Sequence, residues 1–79
     1  IIKENYIVYP EGDVQIIPHT LRINNIGDLT GYPLQLPLPT SKMIAYRVYK
    51  VRTEEQKGEV NTYHYLELLN RSDILQYVR

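Results

Sequence analysis

The first part of the chain alternates apolar and polar positions in short runs that are typical of β-strands. Residues 5–9 read NYIVY and residues 14–17 read VQII, and both runs are rich in β-branched or aromatic side chains. Pro10 and Gly12 in the intervening segment PEGD are turn-forming residues. The pattern therefore predicts a β-hairpin. Residues 20–31 lose the alternation at successive turn signals, which predicts a short strand that enters a loop.

Residues 31–42, GYPLQLPLPTSK, have leucine at every second position and three interspersed prolines. Leu34, Leu36 and Leu38 share the period of a strand and are predicted to face one core. Proline lacks the N–H that a sheet needs, so the segment should lie at a sheet edge or cross a core without full pairing. The alternative, a polyproline recognition peptide, fits less well because the prolines are not three residues apart.

The strongest pattern is a long β-hairpin in the C-terminal half. Residues 43–53 and 60–69 are two runs of β-favouring residues that flank the polar segment EEQKGE. Lys57-Gly58 can form a two-residue turn with the glycine at positive φ. Such a turn places Gln56 opposite Glu59.

Counting back from this turn gives a register for the hairpin. An uninterrupted ladder predicts three pairs, Val51 with His64, Tyr49 with Leu66 and Arg47 with Leu68. One face then carries aromatic and basic side chains together, with Tyr46, Val48, Lys50 and Arg52 on the first strand and Tyr63, Tyr65 and Glu67 on the second. Both faces are mixed, as expected of a ribbon that extends beyond its core.

The last residues, LLNRSDILQYVR, change to a helical period. Asn70 or Ser72 can cap a helix, and the charge of Asp73 in the first turn suits the helix dipole. Leu69 can pack on Ile74 as a hydrophobic staple. A short C-terminal helix is predicted, and its apolar side must be buried against the sheet or a partner to be stable.

Together these elements predict a mainly β fold. It is a small antiparallel sheet or partly open barrel of about five to six strands, with a long β-hairpin and a short C-terminal helix. A chain of 79 residues forms one small β-rich domain, residues 1–79, and buries only about 60% of its unfolded surface. Because the sequence starts with Ile1 rather than methionine, a fragment of a larger chain is an open alternative.

Composition and charge narrow the classes of function. With 43% hydrophobic and 23% charged residues, the chain is expected to fold. Nine basic and nine acidic side chains cancel, so no overall field attracts nucleic acid or an anionic membrane. The absence of cysteine excludes disulfides and favours the cytoplasm, because small secreted domains more often carry disulfides. No apolar run approaches the roughly 18 residues of a membrane span, so no membrane insertion is expected.

Recognisable catalytic and metal-binding motifs are missing from the sequence. His19 and His64 have no second ligand at the close spacing of a zinc site, and Ser41 lacks the context of a nucleophile elbow. The glycines are single, so none forms a phosphate-binding loop. We therefore expect no enzyme activity, no cofactor and no metal.

The candidate site is the aromatic and basic face of the hairpin, formed by Tyr46, Lys50, Arg52, Tyr63 and Tyr65. The leading hypothesis is a non-enzymatic protein-interaction or assembly module that binds a protein partner or a second copy, because exposed tyrosines are enriched at interfaces. The alternative is single-stranded nucleic-acid binding, in which rings stack on bases and cations meet phosphates. The neutral total charge disfavours this alternative. For the eight tyrosines themselves the ordinary interpretation is a thin sheet whose faces they cover, and an interaction surface is the sharper alternative.

Overall fold

The apolar runs of the sequence form one curved sheet. The computed structural model describes residues 1–78, in which five strands make a mixed half-barrel. The strands are β1 (Ile2–Val8), β2 (Val14–Ile17), β3 (Ile26–Gly27), β4 (Tyr46–Gln56) and β5 (Glu59–Leu68). They lie in the order β2-β1-β5-β4-β3, and helix α1 (Arg71–Leu75) follows β5. The predicted mainly β fold, with its long hairpin and short C-terminal helix, is confirmed.

Both predicted hairpins are present. β1 and β2 pair antiparallel, with Val8 opposite Val14 next to the turn. β4 and β5 pair antiparallel from the Lys57-Gly58 turn, where Gly58 has a φ of +80°. The turn chemistry of each connection was therefore sufficient to predict which neighbouring runs pair.

The two hairpins are joined by a parallel pair. β1 lies beside β5 from the pair Ile2–Glu59 to the pair Val8–Tyr65. This pairing makes the sheet mixed and puts β1 between β2 and β5. It connects segments that are distant in the sequence, so no local pattern indicates it.

A β-bulge interrupts the long hairpin at Tyr49. On the turn side of the bulge the predicted register is correct, since Val51 lies opposite His64. Between Val48 and Lys50 the register shifts, and Tyr49 is the extra residue. A bulge puts two residues of one strand opposite one residue of its partner, so the alternation of faces is reset there.

Two of the three predicted cross-strand pairs are wrong for this reason, namely Tyr49 with Leu66 and Arg47 with Leu68. The observed pairs beyond the bulge are Val48 with Leu66, Arg47 with Glu67 and Tyr46 with Leu68. The shift turns Tyr46 and Val48 to the buried face, where they are 8% and 1% exposed.

Two apolar clusters hold the sheet from its two sides. The cluster on what we call the inner face contains Ile7, Ile17, Leu21, Tyr46, Val48 and Leu66. The second cluster contains Ile26, Leu38, Ala45, Leu69 and Ile74. The Leu69 N–H donates to the Ala45 carbonyl at 3.0 Å, which continues the ladder of β4 and β5 beyond the strands. Tyr46 and Leu66 are on the inner face, and successive residues of a strand alternate between faces. Ala45 and Leu69 therefore lie on the opposite face, which we call the outer face.

The proline-rich segment crosses this second cluster. Leu38 is 1% exposed and Leu34 packs against the cluster, but Leu36 is 49% exposed. The prediction that all three leucines face one core is therefore wrong for Leu36. The segment forms only isolated bridges, at Pro33 and Leu38, so it does not keep the strand conformation that a period of two requires. It crosses the core without full pairing, as expected.

Helix α1 is capped at its start and contributes Ile74 to the second cluster. Asn70 is the N-cap, its side chain accepts from the Asp73 N–H, and the Asp73 carboxylate accepts from the Asn70 N–H. Ile74 is buried in the second cluster together with Leu69. The predicted cap and staple are confirmed. Among residues 1–78, no helix has the length and apolar character needed to span a membrane.

Candidate interaction surface

Four of the five candidate residues share the outer face of the long hairpin. Lys50 lies directly opposite Tyr65, and Arg52 lies directly opposite Tyr63. Directly opposite residues on one face of an antiparallel pair are close enough for side-chain contact. The strands therefore bring the two cations and the two rings together, as the register on the turn side of the bulge predicts.

Tyr46 is not part of this face, and its prediction as a surface residue is wrong. Its side chain lies in the inner cluster, where its ring meets the ring of Tyr9 edge to face at a centroid distance of 5.6 Å. The cause is the bulge at Tyr49, which reverses the direction of every residue before it.

Two other tyrosines take its place on the outer face. Tyr6 of β1 lies opposite Tyr63, and the two rings stack at 5.1 Å with an interplanar angle of 16°. Tyr49 in the bulge is 48% exposed, and its ring centroid lies 6.4 Å from that of Tyr65. We call the resulting set the outer aromatic surface; it comprises Tyr6, Tyr49, Lys50, Arg52, Tyr63 and Tyr65.

Tyr49 and Tyr6 differ in whether the sequence could have predicted their place on the outer face. The bulge has a local signal, because the positions that pack in or against the inner cluster, Tyr46, Val48 and Val51, are spaced by two and then by three residues. A strand that keeps one face buried through such a step needs an extra residue. Tyr6 has no local signal, since it reaches Tyr63 only through the parallel pairing of β1 with β5.

Arg52 contacts two of the tyrosines of the outer aromatic surface. Its guanidinium lies 4.6 Å from the ring centroid of Tyr63, and its Nε donates to the Tyr65 hydroxyl at 2.9 Å. It also donates to Glu54 and forms an ion pair with it. The hydrogen bonds to Glu54 and Tyr65 raise the pKa of Arg52 above its ordinary value, so this side chain stays charged. The contacts hold two rings in defined positions.

Most positive charge on the outer face is already compensated. Arg47 forms an ion pair with Glu67, and Arg52 forms one with Glu54. Arg47 also donates a hydrogen bond to the Asn24 side chain at 2.7 Å. The Nζ atom of Lys50 lies 5.4 Å from the ring centroid of Tyr65. Within residues 1–78 it forms no ion pair with a carboxylate.

The surface continues toward the open edge of the sheet as an aliphatic strip. Ile16 of β2 lies opposite Tyr6 and is 56% exposed, and Val14 lies opposite Val8 and is 54% exposed. Partial burial raises the pKa of the Tyr6 hydroxyl, and the neighbouring Glu4 acts in the same direction. Tyr6 is therefore neutral at physiological pH and offers a ring beside an aliphatic edge.

His64 on the inner face has a structural role. It is fully buried, its Nε2 accepts from the Leu21 N–H at 3.1 Å, and its Nδ1 lies 2.9 Å from the Tyr6 carbonyl. Because Nε2 is an acceptor, the ring proton must be on Nδ1, which donates to that carbonyl. Both nitrogens are thus used in linking β1, β5 and the loop at Leu21.

The acidic and histidine side chains of the described residues are dispersed or paired. Within residues 1–78, no group of three His, Asp or Glu side chains is arranged to hold a metal ion. Two partly exposed carboxylates on the hairpin, Glu54 and Glu67, are paired with arginines. What this arrangement can do chemically is present rings, hydroxyls and one lysine to another molecule.

Comparison with known proteins identifies a family. A family model with the description "Uncharacterised Treponema protein" matches residues 1–77. No curated protein and no solved structure matches the chain at a significant level.

Proposed function

This chain belongs to the Uncharacterised Treponema protein family, and we propose that it is a non-enzymatic protein-interaction module whose contact site is the outer aromatic surface. The observation that carries the proposal is the set of four tyrosine rings held together by stacking and by Arg52. Rings that are fixed before binding lose little conformational entropy on binding, and tyrosine is enriched among the residues that dominate interface energies.

The charges of this face support a protein partner over a nucleic acid. Binding to phosphates gains its affinity from cations that replace condensed counterions. Arg47 and Arg52 are neutralised by Glu67 and Glu54, which leaves Lys50 to make such contacts. A polar and aromatic protein surface has no such requirement, because charged residues are depleted at the centre of protein interfaces.

Single-stranded nucleic acid is the second candidate ligand, and one observation favours it. Tyr63 and Tyr65 are half-buried rings with the Arg52 guanidinium within 6 Å of both centroids, at 4.6 and 5.9 Å. A base can stack on such a ring while a neighbouring cation contacts the phosphate. We propose the cytoplasm as the location of either interaction, on the absence of cysteine from the sequence.

The proposal is tested by affinity capture with the tagged chain from a lysate of Treponema, the genus that the family description names. We expect at least one protein whose recovery falls about tenfold with Tyr65→Ala, which corresponds to a loss of about 1.4 kcal/mol. The matched control is Tyr32→Ala, since Tyr32 is 53% exposed and lies outside the outer aromatic surface. Thermal unfolding of both variants must show an intact fold.

Salt separates the two candidate ligands. Capture of a protein partner should change little between about 50 and 200 mM salt, whereas nucleic-acid binding should weaken steeply. A titration with a single-stranded oligonucleotide that shows salt-sensitive binding, lost in Tyr65→Ala and flattened in Lys50→Ala, would overturn the proposal in favour of nucleic acid. Equal recovery of every protein by Tyr65→Ala and Tyr32→Ala would refute a role of this surface.

A further inference from the structure

Strand β2 is an open edge of the sheet. Among residues 1–78 it pairs with β1 alone, and its sequence VQII contains neither a charge nor a proline. Natural edge strands are usually protected by charged residues, prolines, bulges or a covering segment. Val14 and Ile16 are more than half exposed on this strand, at 54% and 56%. Within Val14–Ile17 this short apolar edge carries no charge or proline of its own, so it is suited to pairing with a strand of matching length.

The hydrogen bonds of the first hairpin show which groups of β2 are available. The Tyr9 N–H donates to the Asp13 carbonyl at 2.8 Å, so these residues form a hydrogen-bonded pair. In an antiparallel ladder the bonded pairs alternate. The backbone groups of Val14 and Ile16 are therefore directed away from β1, toward the open edge.

The outward-directed positions end at Pro18. It is the next position after Ile16 in the same alternation, and proline has no N–H to donate. Only Val14 and Ile16 thus offer both an outward donor and an outward acceptor. The pairing segment is short and has a defined centre at Gln15, which restricts the register of an added strand.

We infer that β2 pairs antiparallel with β2 of a second copy of this chain, around a two-fold axis at Gln15. The inference goes beyond the proposed function, because β2 (Val14–Ile17) lies outside the outer aromatic surface. Val14 of one copy then lies opposite Ile16 of the other. The outward N–H of each residue meets the outward carbonyl of its partner in the other copy. A two-fold interface requires this self-complementarity, because the same patch is used on both sides.

The charges at the two ends of β2 complement each other in this arrangement. Asp13 stands at one end, and Lys3 of β1 lies beside the other, where it borders a depression with Glu4, Asn5, Ile16, Ile17 and Pro18. Alternation directs Asp13 and Lys3 to the same side of the sheet as Ile17 and Ile7, and Glu4 to the opposite side. The two-fold axis places Asp13 of one copy diagonally across from Lys3 of the other. Their Cα atoms are then separated by two strand spacings and two residues of rise, which is about 12 Å. An extended lysine and an aspartate can span this distance.

Within one copy these two residues cannot form an ion pair. Asp13 is paired with Tyr9, and Lys3 lies six residues from Tyr9 along the same strand. At the rise of a β-strand this is about 20 Å. An electrostatic coupling between positions 3 and 13 therefore reports contact between two copies.

Sedimentation equilibrium of the full chain over a wide concentration range tests the pairing. We expect a monomer–dimer equilibrium in the wild type and a monomer for Ile16→Lys at the same concentrations. Ile23→Lys is the matched control, because Ile23 has the same residue type and the same 56% exposure but lies outside the edge strand. It should dimerise as the wild type does. Thermal unfolding confirms that each variant is folded.

A charge exchange tests the register. Asp13→Lys and Lys3→Glu should each weaken the dimer about two- to thirtyfold, because each removes both of the exposed ion pairs that the two-fold axis creates. The double variant should return to within about twofold of the wild type. Losses that simply add in the double variant would exclude this register, and with it the proposed dimer.

A wild-type chain that stays monomeric at all concentrations, or equal effects of Ile16→Lys and Ile23→Lys, would overturn the inference. This failure is distinct from failure of the proposed function. The capture experiment depends on Tyr65, whose side chain lies on β5, whereas the dimer depends on β2. A monomer that still loses a captured protein in Tyr65→Ala would keep the interaction function and remove the second copy as a partner.

Discussion

Gly31 lies where a turn rests on the inner core, and its substitution by alanine tests how tightly that core is packed. Residues 28–32 form the turn, in which the Gly31 N–H donates to the Asp28 carbonyl at 3.1 Å. Gly31 has a φ of +88°, and a Cβ added to it would lie 2.9 Å from Ile7 Cδ1 and 3.4 Å from Ile17 Cγ2. Ile7 is fully buried, so its side chain has little room to move away.

Two costs add in Gly31→Ala. The left-handed backbone conformation costs an alanine about 1–2 kcal/mol. Overpacking of a filled core costs a further 1–3 kcal/mol or so. The expected total of about 2–5 kcal/mol is a large part of the stability of a domain this small, for which about 4–12 kcal/mol is typical. Gly58→Ala is the matched control, since Gly58 has a φ of +80° and open space around its Cα. It should lose only the backbone cost.

Urea unfolding of both variants measures the difference, which we expect to be about 1–3 kcal/mol. This corresponds to a melting temperature about 5–20 °C lower for Gly31→Ala than for Gly58→Ala. Ile7→Val removes Cδ1 and should cost about 0.5–1.5 kcal/mol alone. In the Gly31→Ala background its cost should be smaller or reversed, because it removes the clash. Equal losses in the two glycine variants, or strict additivity with Ile7→Val, would refute the steric argument.

Three further predictions follow from side chains already described. Leu38→Ala should cost about 2–5 kcal/mol in urea unfolding, while Leu36→Ala should stay within about 0.5 kcal/mol, because Leu38 is buried and Leu36 is half exposed. His64→Leu leaves the Leu21 N–H and the Tyr6 carbonyl unpaired, and each should cost roughly 1–3 kcal/mol of stability. A total cost below about 1 kcal/mol would contradict the linking role of the imidazole. Burial acts to raise the pKa of Asp28, but hydrogen bonds from Thr30 and neighbouring N–H groups outweigh it and lower that pKa below its ordinary value of 3.8. The carboxylate therefore stabilises the fold above pH 3.8 and this contribution is lost as the pH falls through the lowered pKa, so Asp28→Asn should flatten the acid limb of thermal stability measured against pH.

Local chemistry was enough to predict the elements that fold on their own pattern. The hairpin at Lys57-Gly58 follows from a turn dipeptide between two β-favouring runs, and the helix follows from the Asn70 cap. Both depend on residues a few positions apart, which is the range over which sequence patterns carry information. The same range was sufficient to place Lys50 opposite Tyr65 and Arg52 opposite Tyr63.

Two of the remaining features depend on contacts between distant segments. The stack of Tyr6 on Tyr63 requires the parallel pairing of β1 with β5, and Leu36 is exposed because the proline-rich segment leaves the strand conformation between its bridges. Tyr46 was assigned to the wrong face because a period of two was extended through the bulge at Tyr49. For Tyr6 and Leu36 tertiary packing, rather than the local preference of the residues, decided the outcome, whereas the bulge lies within the local hairpin of β4 and β5.

The parallel pair also determines the order in which this sheet can be completed. Residues 2–8 pair with residues 59–65, so the central ladder forms only after a long loop has closed. Loop closure of this length gives a high contact order, which slows folding relative to a sheet made of successive hairpins. During synthesis the N-terminal hairpin leaves the ribosome well before β5, and Ile7 and Ile17 stay open to water and to chaperones or proteases in that interval. We expect the pairing of β1 with β5 to be the slow step, so variants that weaken this contact should retard refolding.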